Sequence, residues 1–223
     1  MKTVRLGDCI DIEIRTGIMP SRIIAKEGDE VVSERHIINP NEIQKGFFAP
    51  VPHPTTKLKT NIKDRHLTKE GDLIIQLCGP YNCAMITSSL TDMVVPSFCA
   101  TIRCSSEEID KSYLLAFFNN SRVEHALRET VKGKQLSNAI SVHVLKDLTL
   151  PIPSMSEQIK IGKEFNESVK KIDELEFLLQ KELLNLTTNM SYIFDMAGLK
   201  EYKNTDKEGL YIYYRSKQGA RKR

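Results

Sequence analysis

Apolar positions along this 223-residue chain fall into two regimes. Up to about residue 153 they come in short bursts broken by glycine and proline. Beyond it they recur in steps of four and three: Phe165, Val169, Ile172, Leu179, Leu183, Leu186, Met190 and Ile193, with Glu176 the one break in the seam. That spacing is a coiled-coil stripe held over about four heptads. Pro151 and Pro153 forbid helix and impose an extended entry. Ser154 or Ser156 then caps a helix, with Glu157 in the first turn, where a carboxylate suits the positive helix end. From there to Asp195 there is no proline, and Gly162 is the only glycine. A helix of roughly 40 residues would extend about 60 Å, more than a compact domain needs. It either folds back on its own domain or serves as a strut or assembly helix, and continuous heptad spacing without a helix-breaking turn favours the second.

The first regime reads as a mainly antiparallel β region. VRLGDCIDIEI, residues 4–14, alternates apolar and polar like a half-buried strand, and a loop with Gly17 and Pro20 comes next. FFAPVPHP is too rich in proline for a central strand. Strands are expected at residues 73–77, 83–87 and 94–104, with a turn at Gly71–Asp72 before the first. A helix starts at Ser106 and is interrupted near Asn119–Asn120. Its first half places Ile109, Leu114, Leu115 and Phe118 on a core-facing side.

Composition changes this picture little, but charge distribution changes it more. No apolar window approaches a membrane span and no signal-peptide core opens the chain, so the expected compartment is the cytoplasm. Five cysteines are expected as reduced thiols. Net charge is only +3, yet the long helix carries eight acidic and five basic residues, so the positive excess lies elsewhere. Part of it is in residues 197–223, with eight basic residues against three acidic, a stretch with too few apolar residues to fold alone.

Catalytic patterns are missing. There is no GxxxxGK[ST] loop, HExxH helix, GxSxG elbow or glycine-rich dinucleotide or S-adenosylmethionine loop. The five histidines are scattered and read as surface or loop residues. Cys78 and Cys83, like Cys99 and Cys104, are five apart. Zinc knuckles space their cysteines by two to four residues, and positions five apart on a strand face opposite ways. Small buried hydrophobes are the better account, so neither metal nor cofactor is expected. The basic loops carry more information. Lys57, Lys59, Lys63 and Arg65 mix with Thr55, Thr56, Thr60 and Asn61, and Lys132, Lys134, Gln135, Ser137 and Asn138 repeat the mixture. Cations among small hydroxyl and amide donors suit phosphate contacts and base-edge hydrogen bonds, although exposed loops are commonly rich in such residues.

Four stretches in order resemble the specificity subunit of type I restriction-modification systems. They are VRLGDCIDI with RTGIMPS, then LTKEGDLIIQLCGPYNCAMI, then SYLLAFFNN, and finally KGKQLSNAISVHVLKDLTLPIPSMSEQIKI. The last is the most specific: a glycine-led loop, an aliphatic strand, P-x-P, and Glu157–Gln158 before a long helix. The resemblance spans residues 4–195. It implies an α+β protein in which a mixed, mainly antiparallel β target-recognition domain with peripheral helices (residues 1–153) precedes one long coiled-coil spacer helix (154–195) and a basic tail (196–223). Family members commonly carry two recognition domains and two helices, so this chain resembles a half-subunit, or a truncated or recombining segment.

The implied function is non-catalytic, sequence-specific recognition of double-stranded DNA, directing methyltransferase and restriction subunits to a target. Pairing through the helix, with an identical chain or another specificity half, restores two recognition domains. Expected DNA contacts are Arg15, Arg22, Lys57, Lys59, Asn61, Lys63, Arg65, Lys132, Lys134, Gln135 and Asn138. Two other readings compete: a stand-alone methyltransferase or nuclease, and a coiled-coil assembly protein that touches no nucleic acid.

Overall fold

The computed structural model of the protein describes residues 2–49, 53–132 and 139–196. Two units emerge, Met1–Glu167 and Ser168–Arg223. The first is built on a four-stranded antiparallel sheet in the order β2 (Ile12–Thr16), β7 (Cys99–Cys104), β5 (Leu73–Gln76), β6 (Cys83–Met85). Two antiparallel pairs flank it: β1 (Lys2–Arg5) with β8 (Thr149–Ile152), and β3 (Ser33–Arg35) with β4 (Thr56–Leu58). Helices α1 (Pro20–Ile23), α2 (Lys111–Phe118), α3 (Ser121–Val131) and α4 (Val142–Asp147) are short, and α5 runs from Met155 to Met196. The α+β class with a long last helix is as the sequence implies.

Both faces of the sheet are covered, which explains the continuous apolar run of β5. Leu73 and Ile75 join Ala100, Ile102, Leu114, Phe118 and Leu127 in one core, while Ile74 joins Ile38, Ile43, Ile86 and Val95 in the other. Cys99 belongs to the second core and Cys104 to the first, so these thiols do face opposite ways. Burial pushes the Cys99 thiol up to about 12 and the Cys83 thiol still higher.

Several local expectations are revised. VRLGDCIDIEI is two strands, not one, because a 3-10 turn at Leu6–Asp8 separates them and leaves Ile10 on the surface. β7 starts only at Cys99, because a turn closed by the Cys99 N–H on the Pro96 carbonyl separates it from the residues before. The break near Asn119–Asn120 is where two helices meet. Asn120 caps α3 by accepting from the Arg122 N–H. Buried Asn119 receives the Cys83 N–H and donates to the Cys83 carbonyl, which fixes α2 to β6.

The first turns of α5 belong to the first unit. Ser154 and Glu157 form a reciprocal cap, each accepting from the other's backbone N–H (3.0 and 3.4 Å). Gln158 is 1% exposed. It accepts from the Asp110 N–H (3.0 Å) and donates to the Glu108 and Pro153 carbonyls (2.9 and 3.1 Å). One turn on, a Cβ at Gly162 would lie 2.7 Å from Ser112 Cβ and 2.9 Å from the Tyr113 nitrogen. The glycine is there because α5 crosses the start of α2 too closely for any side chain.

In the second unit the helical stretch from Ser168 exposes its seam: Ile172, Leu179 and Leu186 are each at least half exposed, as are Leu175, Phe177 and Leu178. Met190 and Ile193 lie beyond the described side chains, and the tail from 197 onward lies outside the described residues. Among the described residues no helix is long and apolar enough to cross a membrane.

Candidate nucleic-acid interface

The candidate interface is a surface assembled by the register of β2 on β7. Arg15 pairs with Thr101 and Glu13 with Arg103. Period-2 alternation sends these four side chains to one face, opposite the Ile12, Ile14, Ile102 and Cys104 side chains that enter the core. The 3-10 turn Asp64–His66 adds Arg65. Glu13, Arg15, Arg65, Thr101 and Arg103 line one shallow surface depression, which therefore holds three guanidinium groups and one carboxylate.

Each arginine is held differently. Arg103 forks onto Asp72, donating from Nε (2.7 Å) and from Nη2 (2.6 Å). Asp72 is 2% exposed, and the loop it sits in is fixed by the Lys69 N–H bonding to its carboxylate. The hydrogen bonds and charge of Asp72 raise the Arg103 pKa further, keeping the ion permanently charged. Arg15 pairs with its strand neighbour Glu13 and remains exposed. Arg65 donates from Nε to His66 Nε2 at 3.2 Å.

His66 registers the local field. Its pKa is lowered, first by burial and then by the positive charges of Arg65, Arg15 and Lys63. Lys63 thus joins the three arginines of the depression, and with Glu13 paired to Arg15 and Asp72 to Arg103 the surface keeps a net positive charge of the kind that suits a polyanion.

The remaining expected contacts are dispersed. Lys57 sits exposed in the middle of β4, with Arg22 exposed on α1 and Asn61 exposed in the loop after β4. Lys59 is half-buried and tied to Asp29 at 3.2 Å, so it braces its loop as well as carrying charge. Lys132, the residue that follows α3 as its C-cap, bonds to Glu129 at 3.3 Å. Lys134, Gln135 and Asn138 lie outside the described residues. Arg103 and His66 were absent from the sequence-based set. The alternation in IEIRT and TIRC, read across two paired strands, is the signal that would have exposed Arg103. The pairing itself had to be known first.

Solved structures give the fold a context. A chain from a structure described by the complex assembly and conformational transition of a type I restriction-modification system is similar, with TM-score 0.57 and 19% identity over 88% of this chain and 45% of that one. The HsdS subunit of Thermoanaerobacter tengcongensis is similar at TM-score 0.56 and 18% identity, covering 92% of this chain and 50% of that one. The type IIG restriction endonuclease BpuSI is similar at TM-score 0.52 and 10% identity, over 74% of this chain and 26% of that one. The chain therefore spans half or less of the length of each. No family model and no curated protein matches it. At these identities the likeness establishes the fold.

Proposed function

We propose that this chain is the DNA-specificity component of a type I restriction-modification complex, a half-subunit with one recognition domain and one spacer helix. The observation that carries the reading is the span of the likeness, in which 92% of this chain lies on 50% of an HsdS chain. The unit so matched presents the arginine depression on its sheet and an exposed heptad seam on its helix. The component is non-catalytic and supplies the target to methyltransferase and restriction subunits. Arg15, Lys63 and Arg65 hold phosphates, Arg103 is braced by Asp72 toward the same surface, and the loop side chains around Asn61 and Gln135 read base edges. Pairing through Ile172, Leu179 and Leu186, with a second copy or another specificity half, brings two recognition domains onto one split site.

Duplex selection tests this directly. A pool of random duplexes is partitioned on the purified chain, with and without co-expressed methyltransferase subunits, and affinity for the winner is measured over a range of salt. The expected result is a preferred sequence bound at least about 10³-fold tighter than random duplex, with Arg65→Ala lowering the salt slope by about one. Equal affinity for random DNA, or methyl transfer by the purified chain alone, would overturn the proposal.

A further inference from the structure

Away from the arginine depression, three side chains that the DNA-binding reading does not use converge on one point. His36 follows β3, Glu42 ends the 3-10 turn Pro40–Glu42, and His53 precedes β4. His36 and Glu42 are 9% and 8% exposed. His36 Nε2 stands 2.8 Å from Glu42 Oε2, and His53 Nδ1 stands 3.7 Å from the same oxygen. The two imidazole rings lean on each other with centroids 4.8 Å apart.

We propose that His36, Glu42 and His53 form a binding site for a zinc-class divalent cation that clamps the chain between β3 and β4. The three ligand atoms all lie within 4.8 Å of one another. Donor atoms around a tetrahedral zinc stand about 3.3 Å apart, given metal–ligand bonds of about 2.0–2.1 Å. The separations from Glu42 Oε2 bracket that value, so small side-chain movements reach it.

The outer contacts suit a metal ligand set as well. His36 Nδ1 donates to the Pro54 carbonyl at 3.0 Å, which leaves Nε2 as the nitrogen that faces Glu42 and that a metal would take once its proton is displaced. A backbone carbonyl behind the ring is the usual orienting partner of a metal-bound histidine. The Glu42 carboxylate is fixed by the Asn39 N–H (3.2 Å), part of a capping box. The 2.8 Å contact between His36 Nε2 and Glu42 Oε2 is a hydrogen bond of the protonated ring, and a bound cation takes the place of that proton. His53 Nδ1 is itself buried and without a hydrogen-bond partner, which leaves a third donor aimed at the same place. Two imidazoles and one carboxylate select a borderline transition ion over magnesium or calcium, which prefer all-oxygen sites. With three protein ligands, the fourth position falls to water on the side where His53 is 26% exposed.

The test uses the full chain, stripped with a chelator and titrated with Zn²⁺ against a chromophoric competitor. One equivalent per chain is expected. His53→Gln and Glu42→Gln should each weaken binding more than about 100-fold, beyond the loss typical of outer-shell changes. Cys78→Ser, at an exposed thiol, should leave binding unchanged. Loading the unaltered chain with Co²⁺ gives a readout that needs no variant: tetrahedral d–d bands without a thiolate charge-transfer band are expected. A thiolate band, substoichiometric zinc, or undiminished binding by a folded His53→Gln chain would each overturn the proposal. Failure here leaves the DNA-binding reading untouched.

Discussion

Replacing Gln158 with alanine removes a side chain that makes three hydrogen bonds from a buried position: one from the Asp110 N–H and two to the Glu108 and Pro153 carbonyls. The methyl group left behind reaches none of them. Each backbone group left unpartnered inside the protein costs about 1 kcal/mol or more. The three together should cost about 3 kcal/mol, a sum that water entry reduces and the new cavity increases. In a domain of this size that corresponds to a fall in Tm of roughly 6–12 °C, at about 2–4 °C per kcal/mol. Urea unfolding followed by tyrosine fluorescence suits the measurement, because Tyr81 and Tyr113 are both buried in the first unit. Glu157→Gln provides the contrast: its carboxylate is on the surface, and its loss should move the curve far less. A Gln158→Ala chain less than about 1 kcal/mol weaker than the parent would refute the reasoning. So would one that unfolds normally but no longer recruits its partners, since Gln158 would then be a recognition residue and not the bolt between α5 and α2.

Three further outcomes rest on the same geometry. Gly162→Ala should destabilise the first unit, although alanine favours helix by about 1 kcal/mol, because its Cβ would fall 2.7 Å from Ser112 Cβ; a stabilised variant in the same urea assay would contradict the close crossing. Asp72→Asn should cost about 2 kcal/mol, the scale of hydrogen bonds to a charged group, and should weaken duplex binding by releasing Arg103; unfolding and anisotropy titrations check the two effects separately. His66, held below its ordinary value by burial and by Arg65, Arg15 and Lys63, gives two pH effects. The unfolded ring protonates before the folded one, so its share of stability is present above about pH 6.5 and is lost as pH falls below it. Bound phosphates offset the neighbouring cations, so DNA binding takes up a proton and tightens from about pH 7.5 to about pH 6 at constant ionic strength. His66→Asn should flatten that profile.

The residues that carried the family resemblance are largely joinery. Thr149–Ile152, which includes the first proline of P-x-P, is strand β8, laid against β1 from the opening motif with Val4 opposite Leu150. Tyr113 of the SYLLAFFNN stretch donates to the Pro151 carbonyl at 2.7 Å. Glu157–Gln158 and Gly162 then set how α5 leaves the domain. The proline-imposed extended entry and the Ser154–Glu157 cap were legible because each rests on a local rule, proline geometry or capping chemistry; the roles of Gln158 and Gly162 were not, because they depend on α2. Residues 73–77 were legible as a short apolar strand, but that both faces of β5 are covered appeared only once Ile74 and its neighbours Leu73 and Ile75 were seen in separate cores.

The depression was not legible, because nothing local defines it. Arg15 and Arg103 are 88 positions apart and become neighbours only through the register that sets Arg15 against Thr101 and Glu13 against Arg103. The same holds for His36, Glu42 and His53, which looked like scattered loop residues until the turn at Pro40–Glu42 folded them together. A loop-by-loop count of cations found Lys57 and Lys59 but missed Arg103, whose guanidinium is the one most firmly oriented, by a carboxylate that is itself buried. Rigid placement matters for specificity, because a side chain already held in position loses less freedom when it meets DNA. In the proposed DNA-binding role, long-range register would decide which basic residues discriminate, and composition only how strongly the surface attracts a polyanion.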